Sequence, residues 1–430
     1  MPKPAKHRSN TIRTAASLLF LSALLFYGPA QTSSPYCETV YDIEYLSWEE
    51  FRTPVKAESV MPFKKIGNML LKDDLLILSE PNKGIHLVNN SDPQAPEKIS
   101  FLSVYAADQV AMSGDILYTR SYVDLIAIDI SDPNNAAETG RLKNLFPTPL
   151  TTLDDPEKYF FGARDPKLGV VKDFEIVSQQ CRGGNYSGND TSGGCGSSGG
   201  GSTATPAQDN TATPAVKQGS LANMIIVDDY LYVISYDEVK TVSLADPSAP
   251  ELVNTTAVNN WAMETLYYHN NALYIGTSVG VEILDITTRN SPQVAGTFSH
   301  QWSCDPIVVQ GEVAYSTLRG RGCGGAQNQL DILDVSDIYA PQLITSVEMS
   351  EPYGLAIDGN LLLVADGYSG LKRLNVADPA NPIFMQGLGN YTLRDIIAVD
   401  GHAILQGVNS VIQVDYSDEE SITVVSVLEY

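Results

Sequence analysis

The sequence predicts an all-β protein, a seven-bladed β-propeller of four-stranded antiparallel blades with a flexible insertion between blades 2 and 3. Three observations carry this. A strand that runs into an Asp-terminated turn recurs at near-constant spacing. Each repeat holds four strand-like pieces. No sustained helical periodicity exists beyond one short helix near residues 47–52.

The clearest copy of the repeating strand is Leu330-Asp-Ile-Leu-Asp-Val-Ser-Asp337. Apolar side chains fall on both of its faces, which suits a strand buried between neighbouring sheets. The strand stops at its last Asp, whose side chain can bond its own backbone two residues on. The turn positions are Asp92, Asp132, Asp246, Thr288, Asp337, Asp378 and Asp418, and proline follows in four of them: Pro93, Pro133, Pro247 and Pro379. Proline has no N–H to give to a ladder, so it also ends the strand. The spacings are 40, 114, 42, 49, 41 and 40 residues. The longest contains an insertion over residues 150–219. The 49 contains the Gly-rich piece 319–325. A unit of about 40 residues with four strands is the signature of a propeller blade.

The sixth unit shows all four pieces. Gly354-Leu-Ala-Ile357 leads to a turn at Asp358-Gly-Asn360, then Leu361-Leu-Leu-Val364 and Leu371-Lys-Arg-Leu-Asn-Val376 follow, and Pro382-Ile-Phe-Met385 begins the fourth. The predicted organisation is a signal peptide over 1–30, a lead-in over 31–66 and the propeller over 67–430. Within the insertion, 169–177 reads as an edge strand. Residues 181–214 are rich in Gly, Ser, Thr, Asn and Ala and bury too little apolar surface to offset the entropy of ordering, so a mobile loop is expected there. Two closures of the ring are open: residues 38–46 adding a strand to the last blade, or residues 421–428 completing it.

Lys3, Lys6, Arg8 and Arg13 precede an apolar run from Ala15 to Phe26, and Gly28-Pro29-Ala30 supplies small residues for cleavage. This is the pattern of a secretory signal peptide, and a largely apolar run of twelve residues is too short to span a bilayer. Cleavage after Ala30 removes four basic residues and takes the net charge from −24 to −28. Such a surface is a poor partner for nucleic acid, whose binding depends on Lys and Arg neutralising phosphates. Export permits disulfides. Cys304 and Cys323 are expected to pair on one face of blade 5, Cys181 and Cys195 to close part of the insertion, and Cys37 to be left over.

The repeat strand is similar to the one that names the LVIVD-repeat proteins, exported bacterial β-propellers. Gly84-Ile-His-Leu-Val-Asn-Asn-Ser-Asp-Pro93, Asp124-Leu-Ile-Ala-Ile-Asp-Ile-Ser-Asp-Pro133, Cys304-Asp-Pro306 and Asn328-Gln-Leu-Asp331 resemble that family's blades. The resemblance covers residues 36–149 and 220–430. It implies the fold and export, and supplies no reaction and no catalytic residue.

In an antiparallel blade the second-to-third loops and the blade-to-blade connections share one face, here the top. Counting ten residues back from the matched second-strand positions Ile77, Tyr118, Tyr232, Tyr274, Tyr315, Leu363 and Leu405 gives Gly67, Asp108, Ala222, Glu264, Asp305, Tyr353 and Asp395. Four are acidic, and they are expected to ring the top mouth of the channel. Tyr105, Trp261 and Trp302 lie three residues before three of them. Acids beside aromatics at a concave mouth suit a cation, a basic peptide or a sugar; the plainer alternative is that each acid caps a turn and each ring covers a blade.

Gly276-Thr-Ser-Val-Gly280 matches a nucleophile elbow, but a strand rather than a helix follows, so Ser278 is not expected to act. His86, His269, His300 and His402 have no metal-ligand spacing, and no cofactor motif is present. The expected function is therefore a non-catalytic binding module at the cell envelope, without metal or cofactor, monomeric, recognising an envelope protein or glycan at the top mouth. The alternative is a glycosidase-like hydrolase using two of the same carboxylates.

Overall fold

The computed structural model describes residues 36–155, 158–182, 216–221, 223–258, 263–300, 303, 306–320 and 327–430. The signal-peptide region, residues 183–215, Trp261, Trp302, Asp305, Cys195, Cys304 and Cys323 lie outside the described residues. Backbone contacts divide the chain into two units, one of residues 1–53 with 149–197, the other of residues 54–148 with 198–430.

In the second unit the predicted seven blades are all present. Each has four antiparallel strands in sequence order, and in blade 1 Val216–Gln218 and Ala57–Glu58 flank those four to make a six-stranded sheet. The blades run from Met69 to Ser103, Val110 to Leu142, Met224 to Ala257, Met263 to Ser299, Ile307 to Glu348, Leu355 to Leu388 and Leu393 to Glu429. The first strands neighbour one another in order around the ring, and that of blade 7 returns to that of blade 1. They are the innermost strands. The core lies between blade faces, as in the cluster that joins Tyr274, Ile283, Val308, Tyr315, Ile332 and Leu362 across blades 4 to 6.

The Asp turns form as the sequence dictates. The Asp92, Asp132, Asp246, Asp337, Asp378 and Asp418 carboxylates accept from the amide two residues on, at 2.7–3.1 Å. A second such turn, which the sequence reading did not single out, sits three residues earlier. Asp129, Asp285, Asp334 and Asp415 accept from Ser131, Thr287, Ser336 and Ser417. These bonds favour the charged form and hold all four carboxyls below the usual range.

Neighbouring blades are tied through those turns. The Tyr118 hydroxyl of blade 2 donates to the Pro247 carbonyl in the turn of blade 3 (3.3 Å), and Tyr232 of blade 3 to Arg289 in the turn of blade 4 (2.7 Å). Blade 6 has Leu363 at this position and no hydroxyl to offer. Directly opposite Leu363 in the ladder stands Arg373, and its guanidinium reaches the turn of blade 7 instead, donating to the carbonyls of Tyr416 (3.2 Å), Asp418 (2.7 Å) and Glu419. In blade 7 the equivalent residue is Gln413, opposite Ile404. It exchanges two amide hydrogen bonds with Asn90 of blade 1, at 2.7 and 3.2 Å.

That amide pair helps to close the ring. Phe63, Ile66, Met69, Leu76, Leu78 and Val88 pack there against Ile397, Ile404 and Val411. Thr423–Glu429 completes blade 7, so of the two closures the second is the one found. Residues 38–46 have another partner. Tyr36–Leu46 pairs antiparallel with Val170–Arg182, which contains the expected edge strand, and this ribbon belongs to the first unit. One face of the ribbon packs Tyr41, Ile43 and Tyr45 against Phe160, Val171 and Phe174.

The short helix is Trp48–Phe51, started by a capping box in which Ser47 and Glu50 satisfy each other's backbone amides. The 276–280 segment forms a hairpin turn between Ala272–Thr277 and Gly280–Asp285. Gly280 has φ +148°, and a Cβ there would lie 2.0 Å from the Phe298 carbonyl oxygen, so glycine serves close strand approach and Ser278 is buried.

Candidate functional site

The innermost strand of blade 1, Met69–Lys72, has a free edge toward the channel, and the chain itself fills that edge. Val216–Gln218, the end of the insertion, pairs antiparallel with Leu70, Leu71 and Lys72. This strap continues through Gly219, Ser220 and Leu221 and touches four blades. Gln218 donates to the Val110 carbonyl in blade 2 (2.8 Å), and Asn68 of blade 1 donates to the Leu221 carbonyl (2.7 Å). The Ser220 hydroxyl donates to Asp395 of blade 7 (3.0 Å) and accepts from the Leu355 amide of blade 6 (2.6 Å). The strap thus joins the inner strand of blade 1 to blades 2, 6 and 7.

Asp395 lies against that strap. It is 1% exposed, and its Oδ1 also accepts from the Ile396 amide at 2.9 Å. Its Oδ2 has no hydrogen bond of ordinary geometry, although the Ser220 and Leu221 amides are close enough to favour the charged form. Burial dominates and pushes the carboxyl up to about 7. The ladder explains why this acid is inside. In six blades the residues opposite the matched second-strand positions are Leu70, Ala111, Ile225, Tyr267, Val308 and Ala356. In blade 7 the equivalent pair is Ile397 with Ile404, not a pair with Leu405. A bulge inserts Arg394 between Leu393 and Asp395. Blade 4 has the same bulge at Glu264, so the count from Leu405 slips by one residue because Ile404, not Leu405, is the match to Tyr274. Arg394 takes the place equivalent to Glu264, and Asp395 lies one residue further in, at the position of Asn68, Gln109 and Asn223.

The walls around Asp395 are glycine. A Cβ on Gly219 would lie 2.1 Å from Asp395 Oδ2, and one on Gly354 would lie 2.4 Å from Oδ1 and 2.7 Å from the Ser220 hydroxyl. Gly354→Ala is expected to cost about 1–3 kcal/mol in urea unfolding through overpacking. Gly389→Ala, where a Cβ meets nothing within 4 Å, is the matched control. Equal midpoints for the two variants would show that the strap yields without cost.

The other described candidates lie at or just before the starts of first strands. Asp108 has a side chain 39% exposed and pairs with the Arg120 guanidinium at 3.6 Å. Its Oδ1 is nevertheless buried without a hydrogen bond of ordinary geometry among the described residues, and desolvation raises its pKa against the opposing pull of Arg120 and of its own backbone amide. Arg120 is itself oriented, donating to the Tyr122 carbonyl (2.8 Å) and lying over the Phe146 ring (5.0 Å). Tyr105 is 39% exposed. Glu264 is half-buried and is the extra residue of a bulge between Met263 and Thr265. Tyr353, also half-buried, carries the Arg319 guanidinium over its ring at 4.2 Å. Beside these candidates stand arginines that sequence reasoning missed, Arg120 next to Asp108 and Arg319 over Tyr353, with Arg394 in the blade 7 bulge. Their signal was present, since Arg120 and Arg319 lie within the last two residues of second strands.

The histidines serve local structure. His86 Nε2 lies 3.0 Å from Glu80, beside Phe63 and Phe101, and burial lowers its pKa. His269 and His402 bond the Gly311 carbonyl and the Gln413 amide oxygen. Among the described residues no group of three or more His, Cys, Asp or Glu could hold a metal ion, and no helix is long and apolar enough to cross a membrane.

The LVIVD repeat family matches residues 106–143 and 324–349, in blades 2 and 5. Curated proteins include no match to the sequence. Similar solved structures include a protein from Lactobacillus plantarum, at 12% identity and a TM-score of 0.39, over 52% of this chain and 81% of that one. BamB from Moraxella catarrhalis is 8% identical with a TM-score of 0.46, over 79% and 81% of the two chains. Hsv2p from Kluyveromyces lactis is 10% identical with a TM-score of 0.43, over 85% and 98%.

Proposed function

We propose that the protein is an exported, non-catalytic binding module of the cell envelope, and that its ligand, an envelope protein segment or a glycan, docks in a cup at the top mouth. The observation that carries this reading is the strap. The strap bridges blades 1, 2, 6 and 7, and in our reading it closes the channel beneath a concave mouth at which Asp108, Arg120, Arg319 and Tyr353 stand, paired as Asp108 with Arg120 and Arg319 with Tyr353. Because Asp108 already has Arg120 beside it, the cup offers donors and acceptors together. That suits a polar, hydroxyl- or amide-bearing ligand better than a lone cation. A hydrolase would need two carboxylates facing one substrate, and Asp395, enclosed under the strap, is not available as one of them.

The test is affinity capture from envelope extract of the source, with glycan analysis beside mass spectrometry. A variant with Asp108→Asn, Glu264→Gln and Asp305→Asn, and with Asp395 kept, is the comparison. Exposed charges are worth about 0.2–1 kcal/mol each, so the folded triple variant should bind roughly tenfold more weakly. Undiminished capture by the variant would remove the mouth as the site.

A further inference from the structure

We propose that Cys37 and Cys181 are joined by a disulfide that staples the two-stranded ribbon, leaving Cys195 as the odd thiol. The ladder carries this. Tyr36–Leu46 and Val170–Arg182 run antiparallel, and the register sets Cys37 directly across from Cys181, between the pairs Tyr36 with Arg182 and Glu38 with Gln180. Residues directly opposite in an antiparallel pair have Cα atoms about 4.5 or 5.5 Å apart, depending on whether the pair is hydrogen-bonded. Both separations fall within the range of about 4.4–6.8 Å that a disulfide spans. This pairing differs from the expectation from spacing along the chain, which joins Cys181 to Cys195 and leaves Cys37 over.

The ribbon has a use for a staple there. A two-stranded sheet is marginal in water by itself. The aromatic cluster of Tyr41, Tyr45, Phe160 and Phe174 secures the part of the ribbon nearer Leu46 and Val170. Toward the other end Val40, Ile176 and Val177 are exposed, and packing gives less support. A bond between residues 37 and 181 would fix that end and would tie the lead-in to the insertion just before its Gly-rich part.

The chemistry is a two-electron oxidation. The two thiols lose two protons and two electrons as the S–S bond forms, and a disulfide oxidant, such as oxidised glutathione or a thiol–disulfide oxidoreductase, is reduced to its thiols. In the living cell the bond rests on the export reading, because a reducing cytosol would not keep it. The pairing itself does not depend on export.

The experiment therefore has two arms. Full-length mature chain purified under reducing conditions is oxidised in a glutathione buffer, blocked with N-ethylmaleimide, digested and mapped by mass spectrometry without reduction. The expected result is a cross-linked peptide pair containing Cys37 and Cys181, loss of alkylation at both, and alkylated Cys195. Cys195→Ser should leave that cross-link at full yield, whereas Cys37→Ser should restore alkylation of Cys181. A Cys181 to Cys195 link, or full alkylation of Cys37 after oxidation, overturns the proposal. The second arm maps chain isolated directly from its source under acid quench. The same cross-link there supports both the staple and export. A cross-link formed in vitro but absent from source material keeps the staple and sinks the export reading.

Discussion

Replacing Asp395 with asparagine should remove a pH dependence of stability that the wild-type protein carries between about pH 4 and pH 7. The folded carboxyl titrates near 7, against 3.8 for the ordinary group. Between those values the folded chain keeps a proton that the unfolded chain has released. Stability then falls as pH rises, because the native state binds more protons than the unfolded one. The stabilising contribution is complete below about pH 4 and gone above about pH 7. A displacement of about three pKa units corresponds to roughly 4 kcal/mol as a ceiling. Urea unfolding of wild type and Asp395→Asn over pH 3.5–8 measures it. The difference between the two curves should fall across the window and be level on either side. The lowered carboxyls of the Asp turns slope the other way, but both proteins have them, so they cancel. A level difference throughout would mean that the Ile396, Ser220 and Leu221 amides fully compensate the buried charge.

The same carboxyl shows where sequence reasoning lost the site. The blades were legible because their signals are local. Each Asp turn is written in one or two residues, and the four-strand unit repeats often enough for one blade to correct another. In blade 7 Ile404 and Leu405 are adjacent aliphatic residues that suit the second strand equally well by sequence, and only the ladder, which pairs Ile404 with Ile397 as Tyr274 pairs with Tyr267, tells which of them is the matched position. The slip moved a buried acid onto a solvent-facing ring. The strap was illegible for a different reason. Val216–Gln218 is three residues long and gains its strand character from the free edge of Met69–Lys72, about 150 residues earlier in the chain. Cys37 facing Cys181 is likewise a product of register across a long separation, which spacing along the chain does not reveal.

Arg373→Met should be the most damaging single change in the described ring outside the apolar core. Arg373 is 0% exposed in the third strand of blade 6, and its guanidinium serves three carbonyls in the blade 7 turn. At the equivalent position five blades carry Leu87, Ala127, Thr241, Ile283 and Ile332, so a charged side chain is not what the strand requires. It is what the turn requires. Blade 7 has Glu419 where Pro93, Pro133, Pro247 and Pro379 preset the backbone after their Asp, and Leu363 of blade 6 cannot reach across as Tyr118 and Tyr232 do. Methionine fills a comparable volume but leaves three acceptors unserved. Each buried acceptor left so costs about 1–3 kcal/mol, reduced where water can reach the exposed Asp418 and Glu419, so a loss of about 3 kcal/mol is expected in urea unfolding at pH 7. Arg373→Lys should recover less than half, because a point charge cannot span carbonyls that a planar fork does. Adding Glu419→Pro to Arg373→Met should return about 0.5–1 kcal/mol by restricting the unfolded chain, and no more, since proline presets the turn without bonding its carbonyls. If Arg373→Met unfolds with the wild-type midpoint, the blade 6 to blade 7 seam is held by apolar contact alone, and the guanidinium is a tolerated charge rather than the tie between them.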